Sequence, residues 1–217
     1  MKRKTPRDIK VPLSLIDFSD VPEWSLAQLN EAFIKVRDER FLFMDCDNTP
    51  RRIPWMFAEN GCYLRAALVR KKFKEWNLPK IKKLFIFGEM KFSTHVKLND
   101  TVSFRDHVAC VVRVKDETYV IDPPVSFDKP LLLRDWTNLL FSKSDTKFCK
   151  LSLASEFTLS HNCPVNTKNE HEEVGMKDGV IRDINFFTEN FLQKEKAYLL
   201  SKNINIKEAL GDSPIWI

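Results

Sequence analysis

The chain has 217 residues, 43% of them apolar and 30% charged, enough to bury one sizeable core, and one domain is the expectation. Its net charge of +5 is spread over scattered lysines, which reads as a solvated surface and not as a nucleic-acid or membrane patch. Five cysteines without a CxxC pair argue against a structural zinc site and suit reduced thiols better than a disulfide framework.

In chain order, residues 1–22 carry prolines at 6, 12 and 22 and form an extended lead-in. No apolar core of signal-peptide length comes after Met1-Lys2-Arg3-Lys4, and no stretch approaches a spanning helix. The expectation is a soluble, cytoplasmic protein without a conventional export signal. Leu26, Leu29, Phe33 and Val36 recur at helical spacing behind a Ser25 cap, which predicts a helix from Ser25 to Arg40. Residues 41–61 read as loop.

Cys62, Ala66, Val69, Phe73 and Trp76 repeat at 4-3-4-3 and predict a helix from Cys62 to Trp76, stopped by Pro79. Lys83 to Phe87 and Phe104 to Val114 read as strands. A turn at Lys115-Asp116-Glu117 returns the chain through Thr118 to Asp122 as a hairpin. A short helix is expected from Asp135 to Phe141, and a last one from Ile181 to before Asn203. Residues 142–180 are polar and carry the weakest pattern. Strands flanked by separate helices, without βαβ alternation, predict an α+β fold with a core over about 25–141 and a C-terminal extension over 142–217.

Three residues are candidates for chemistry: Cys62 at a helix start, His107 in an apolar strand, and Asp122 at the end of its hairpin partner. Amide hydrogens and the positive end of a helix dipole lower the pKa of a thiol placed there and face a developing oxyanion. A histidine then moves the proton and a carboxylate fixes its tautomer. Each residue also has a plain structural reading: Cys62 as a small buried residue, His107 as a satisfied core histidine, Asp122 as a turn residue. The hairpin register adds a geometric condition, since a tight turn sets Asp122 opposite residues 109 to 111, several positions from His107. Asp106 falls on the opposite strand face. His95, His171, the pair His161 and Cys163, and Cys46, Cys110 and Cys149 lack a matching partner set.

Arg51-Arg52-Ile53-Pro54-Trp55 leading into Glu59-Asn60-Gly61-Cys62-Tyr63-Leu64-Arg65-Ala66 resembles the nucleophile segment of bacterial protein glutaminases. His107-Val108-Ala109-Cys110-Val111-Val112 and Tyr119-Val120-Ile121-Asp122-Pro123 resemble that family's histidine and aspartate strands. Lys129-Pro130-Leu131 and Asp135-Trp136 resemble the family's segment after the aspartate. The resemblance spans about residues 50–140, with Asn60 where the family often has Asp. It implies a papain-like or transglutaminase-like core, with Cys62 as nucleophile, His107 as general base and acid, and Asp122 as its orienter. It implies deamidation of protein-bound glutamine with no metal or organic cofactor; a monomer is expected. Trp55 and Tyr63 are candidates to line the slot for the glutamine stem. The same three residues also suit a transglutaminase, a cysteine peptidase or another acyl transferase, and a non-catalytic binding module would retain the fold. Secretion by a specialised system, as an effector, is an alternative to a cytoplasmic role.

Overall fold

The computed structural model describes residues 11–39, 41–44, 47–52, 61–79, 81–93, 101–141, 148–153, 190 and 192–207. Its centre is an antiparallel sheet formed by β1 (Val11–Pro12), β4 (Lys82–Ser93), β5 (Thr101–Val114), β6 (Glu117–Ile121), β7 (Leu131–Leu132) and β8 (Phe148–Leu153), in the order β1-β8-β4-β5-β6-β7. A separate hairpin joins β2 (Phe41–Met44) to β3 (Asp47–Arg52). The helices are α1 (Leu26–Asp38), α2 (Cys62–Glu75), α3 (Leu133–Leu140) and a C-terminal helical run, α4, over residues 192–201. The expected α+β class is the observed one.

Strand alternation makes the sheet two-sided. Phe85, Val108, Cys110, Val112 and Ile121 pack with Leu29, Phe33 and Val36 of α1 and with Ala66, Val69 and Phe73 of α2. Leu84, Ile86, Ala109, Val111 and Val120 point the other way and pack with Trp136 and Leu140 of α3. Each valine, leucine, isoleucine or phenylalanine among them, fully removed from water, contributes roughly 1.5–3 kcal/mol. Helix α1 starts as expected: Ser25 Oγ accepts from the Gln28 amide while the Gln28 side chain accepts from the Ser25 amide. Its apolar stripe is buried at Leu29, Phe33 and Val36 as expected, with Ala32 added and Leu26 left exposed.

Several expectations need correction. The stretch read as loop over 41–61 contains the β2–β3 hairpin. The strand expected over Lys83 to Phe87 runs on to Ser93, through an irregularity where Gly88 and Glu89 of β4 oppose one β5 residue between the Phe87↔Asp106 and Met90↔Phe104 pairs. Gly88 has φ 145°, a conformation that a side chain would resist, and this lets β4 bulge beside the His107 region. The polar region over 142–180 supplies β8, which pairs along β4 from Lys82↔Leu153 to Phe87↔Phe148. The lead-in is fastened to β5: the Trp24 amide donates to the Arg113 carbonyl at 2.7 Å, and the Arg113 amide to that of Pro22 at 2.9 Å. The last helix ends before Asn203, as expected, while its expected start lies outside the described residues.

A candidate thiol active site

Helix α2 begins because Gly61 can adopt a left-handed backbone, φ 75°, which turns the chain sharply into Cys62. The first amides of a helix lack intrahelical acceptors, so the thiol stands among outward-facing N–H groups. One turn later the Ala66 carbonyl accepts from the Cys110 thiol at 3.3 Å, which fixes α2 against β5. The Cys62 side chain is partly exposed.

His107 lies on β5 opposite Ile86. Asp122 comes directly after the last residue of β6, whose pairing with β5 ends at Cys110↔Ile121. Extending that register puts Asp122 opposite Ala109, two positions from His107 and on the same strand face. Such a diagonal pair lies within reach of two polar side chains. The register does bring them together: His107 Nε2 and Asp122 Oδ2 are 2.8 Å apart, both side chains buried. The turn is shorter than expected, because Glu117 pairs with Val114 and Lys115-Asp116 alone span the bend, Lys115 at φ 54°. The Asp122 carbonyl accepts from the Val125 and Ser126 amides, each at 3.0 Å, which holds the chain in a compact turn after the two prolines. Asp106 is exposed and falls on the strand face opposite to that of His107.

Trp136 completes this arrangement. Its indole Nε1–H donates to Asp122 Oδ2 at 2.9 Å, the same oxygen that faces His107. An indole N–H can only donate, so that oxygen serves as an acceptor twice. His107 Nε2 is then the donor in its own bond, and Nδ1 remains for the thiol. The imidazole is also clamped between rings, 5.0 Å from Phe104 in a stacked geometry and 5.7 Å from Trp136.

The electrostatics come from this geometry. Burial opposes a charge on Cys62, but a hydrogen bond to His107, the charges of His107 and Arg65, and the Val108 amide outweigh it, so the thiol pKa lies below its ordinary value. Burial likewise opposes a charge on His107. The Asp122 carboxylate and the Cys62 side chain prevail and push its pKa up to about 9. Together these shifts favour a thiolate–imidazolium pair. Cys110 shows the contrast: enclosed in the core, its thiol is pushed up to about 12.

The site joins two layers. Cys62 packs with the α1–α2 side of the sheet, whereas Trp136 belongs to the α3 side. They meet at His107, where β5 has run past the end of its pairing with β6. Of the other candidate residues, Tyr63 lies in the first turn of α2 and Trp55 falls outside the described residues, as do His95, His161, Cys163 and His171. Trp136 and Arg65 were not expected at the site. The only sequence signals were Trp136's place in the Asp135-Trp136 segment and Arg65's helical spacing of three from Cys62. Among the described residues no cluster of His, Cys, Asp and Glu could hold a metal ion, and no helix is long and apolar enough to cross a membrane.

A thiol, an imidazole and a carboxylate brought together on an α+β frame are the groups that thiol-dependent acyl transfer requires. The glutaminase family matches residues 29–140, more than half of the chain, and the chain belongs to that family. Two solved structures share its fold. One is a pro-protein-glutaminase, 22% identical with a TM-score of 0.50, the match covering 63% of this chain and 49% of that one. The other is a protein-glutaminase, also 22% identical with a TM-score of 0.50, covering 65% and 77%. This chain therefore spans about half of the pro-protein's length. No curated protein matches it.

Proposed function

We propose that this glutaminase-family protein hydrolyses the side-chain amide of protein-bound glutamine, releasing ammonia and leaving glutamate, with Cys62, His107 and Asp122 as the working residues. The observation that carries the reading is the hydrogen-bonded chain from the Cys62 thiol through His107 to Asp122, with Trp136 fixing the carboxylate. Family membership supplies the amide substrate class.

Those positions set the chemistry. The Cys62 thiolate attacks the amide carbon, a C–S bond forms, and charge gathers on the amide oxygen. Amides at the α2 start, that of Cys62 included, face that charge. Collapse breaks the C–N bond as the His107 imidazolium gives its proton to the departing nitrogen, which leaves as ammonia. His107, now neutral, takes a proton from water. The hydroxide attacks the thioester, the C–S bond breaks, and thiolate and imidazolium are restored. Asp122 remains ionised throughout and holds the ring. The cycle uses no cofactor.

The reading also takes the partner to be a protein or peptide with an accessible glutamine. The test is ammonia release from a glutamine-bearing protein by the unsubstituted chain, Cys62→Ala and His107→Ala. Release should vanish in both variants while their circular dichroism stays that of the parent. Near-normal release from Cys62→Ala would end the proposal.

A further inference from the structure

Arg65 occupies a place that a cation should avoid. It lies in the first turn of α2 and is only 4% exposed. Helical side chains lean toward the N-terminus, and this one folds back over the helix start. Its Nη1 lies 3.7 Å from where a side-chain carbon at Gly61 would stand. A guanidinium there is removed from water and set at the positive end of the helix dipole, and both effects oppose its charge. Burial depresses its pKa, and the anions that work against that depression are the Cys62 thiolate and Asp122.

The geometry points to Arg65 as a positioning residue of the proposed reaction: its guanidinium holds the Cys62 side chain in the charged form and completes the charge balance of the cluster. The inference rests on Cys62 being the nucleophile. A thiolate, an imidazolium and a carboxylate together carry one net negative charge, and sequestering that charge from water is costly. Arg65 offsets that charge, which favours the thiolate beside the buried His107 and Asp122. Arginine suits this better than lysine, because its weaker hydration lowers the cost of burial and it does not deprotonate. The charged groups acting on the thiol among the described residues are His107 on β5 and Arg65 on α2, with Asp122 acting on both of these. Gly61 adds a steric condition, since it leaves the helix start open to the guanidinium.

The test is the pH dependence of Cys62 alkylation by neutral iodoacetamide, read by mass spectrometry of the Cys62 peptide. It is run on the unsubstituted chain, on two neutral variants, Arg65→Met and Arg65→Gln, and on Arg65→Lys. Removing a charge that acts on the thiolate should raise the midpoint by about one pH unit in each neutral variant, which slows alkylation about tenfold on the acid side. Arg65→Lys should recover most of that loss. Ammonia release should track the same profile, falling in kcat at neutral pH and recovering as pH rises. A folded neutral variant whose alkylation profile superimposes on the parent's would overturn the assignment, even if its activity were lost. If Cys62 of the unsubstituted chain reacts only near pH 9, the nucleophile reading itself fails, which separates the two results.

Discussion

Trp136 and His107 approach the same oxygen of Asp122, at 2.9 and 2.8 Å, from two different elements of the fold. The carboxylate is thereby held by a rigid indole while it orients the imidazole. Hydrogen bonds to a charged group contribute about 1.5–3 kcal/mol each, so the indole is well able to fix the rotamer that faces His107.

Trp136→Phe keeps the ring and removes the N–H. Activity should fall by roughly tenfold to a hundredfold, and stability by about 1–3 kcal/mol. Ammonia-release kinetics with urea unfolding check both. Parent-like kinetics would mean that Asp122 holds its orientation without the indole.

Asp122→Asn should act on the pH profile. The proposed reaction needs the thiolate and the imidazolium together, so activity should be lost as pH falls through the lowered Cys62 value and as it rises through about 9, where His107 gives up its proton. Asp122 is the main group raising the His107 value, so the variant's alkaline limb should move down toward the ordinary 6.5. Stability has the same sign. The contribution of a raised histidine is complete below 6.5 and lost as pH rises through about 9. The lowered Cys62 thiol has the opposite slope, since its unfolded counterpart ionises only near 9, so the parent's urea midpoint should stay nearly level over that window.

Much of this was legible in the chain and some was not, for physical reasons. Cys62, His107 and Asp122 stood out because their types, order and flanking patterns are local properties. The 4-3-4-3 stripe of α2 and the Ser25 cap are local too. The role of Trp136 depends on how a turn after two prolines brings α3 back onto β6, which no periodicity records. Arg65 resembled any charged residue of an amphipathic helix, and only the packed sheet shows that its side is enclosed. The β2–β3 hairpin was illegible because Asp47-Asn48-Thr49-Pro50-Arg51-Arg52 has no apolar alternation and only Thr49 as a strand former. Phe148-Cys149-Lys150-Leu151-Ser152-Leu153 did carry strand-like residues, but amid a polar stretch that diluted the signal.

Cys62 and Cys110 should separate under a thiol reagent. At neutral pH, in the folded protein, Cys62 should label rapidly and Cys110, buried and pushed up to about 12, only on unfolding. Peptide mapping after a timed pulse measures the ratio. Equal rates would remove the case for an activated thiol.

Gly61→Ala tests the helix start. The added carbon would meet Arg65 Nη1 at an ordinary contact distance of 3.7 Å, so the cost lies in the backbone at φ 75°. A non-glycine residue in that conformation costs about 1–2 kcal/mol. Urea unfolding should show a loss of that size, with activity reduced further as the Cys62 amide shifts.

The central claim is that Cys62 passes a glutamine acyl group to water. The most direct measurement is peptide mass spectrometry of an unfolded, glutamine-rich protein after incubation with the enzyme and an added primary amine. Glutamine should convert to glutamate, with asparagine untouched because its carbonyl falls one carbon short of the thiol. The backbone should stay uncut, no amine should become attached, and Cys62→Ala should convert nothing. Amine joined to glutamine, cleaved peptide bonds, or conversion by Cys62→Ala would contradict the claim.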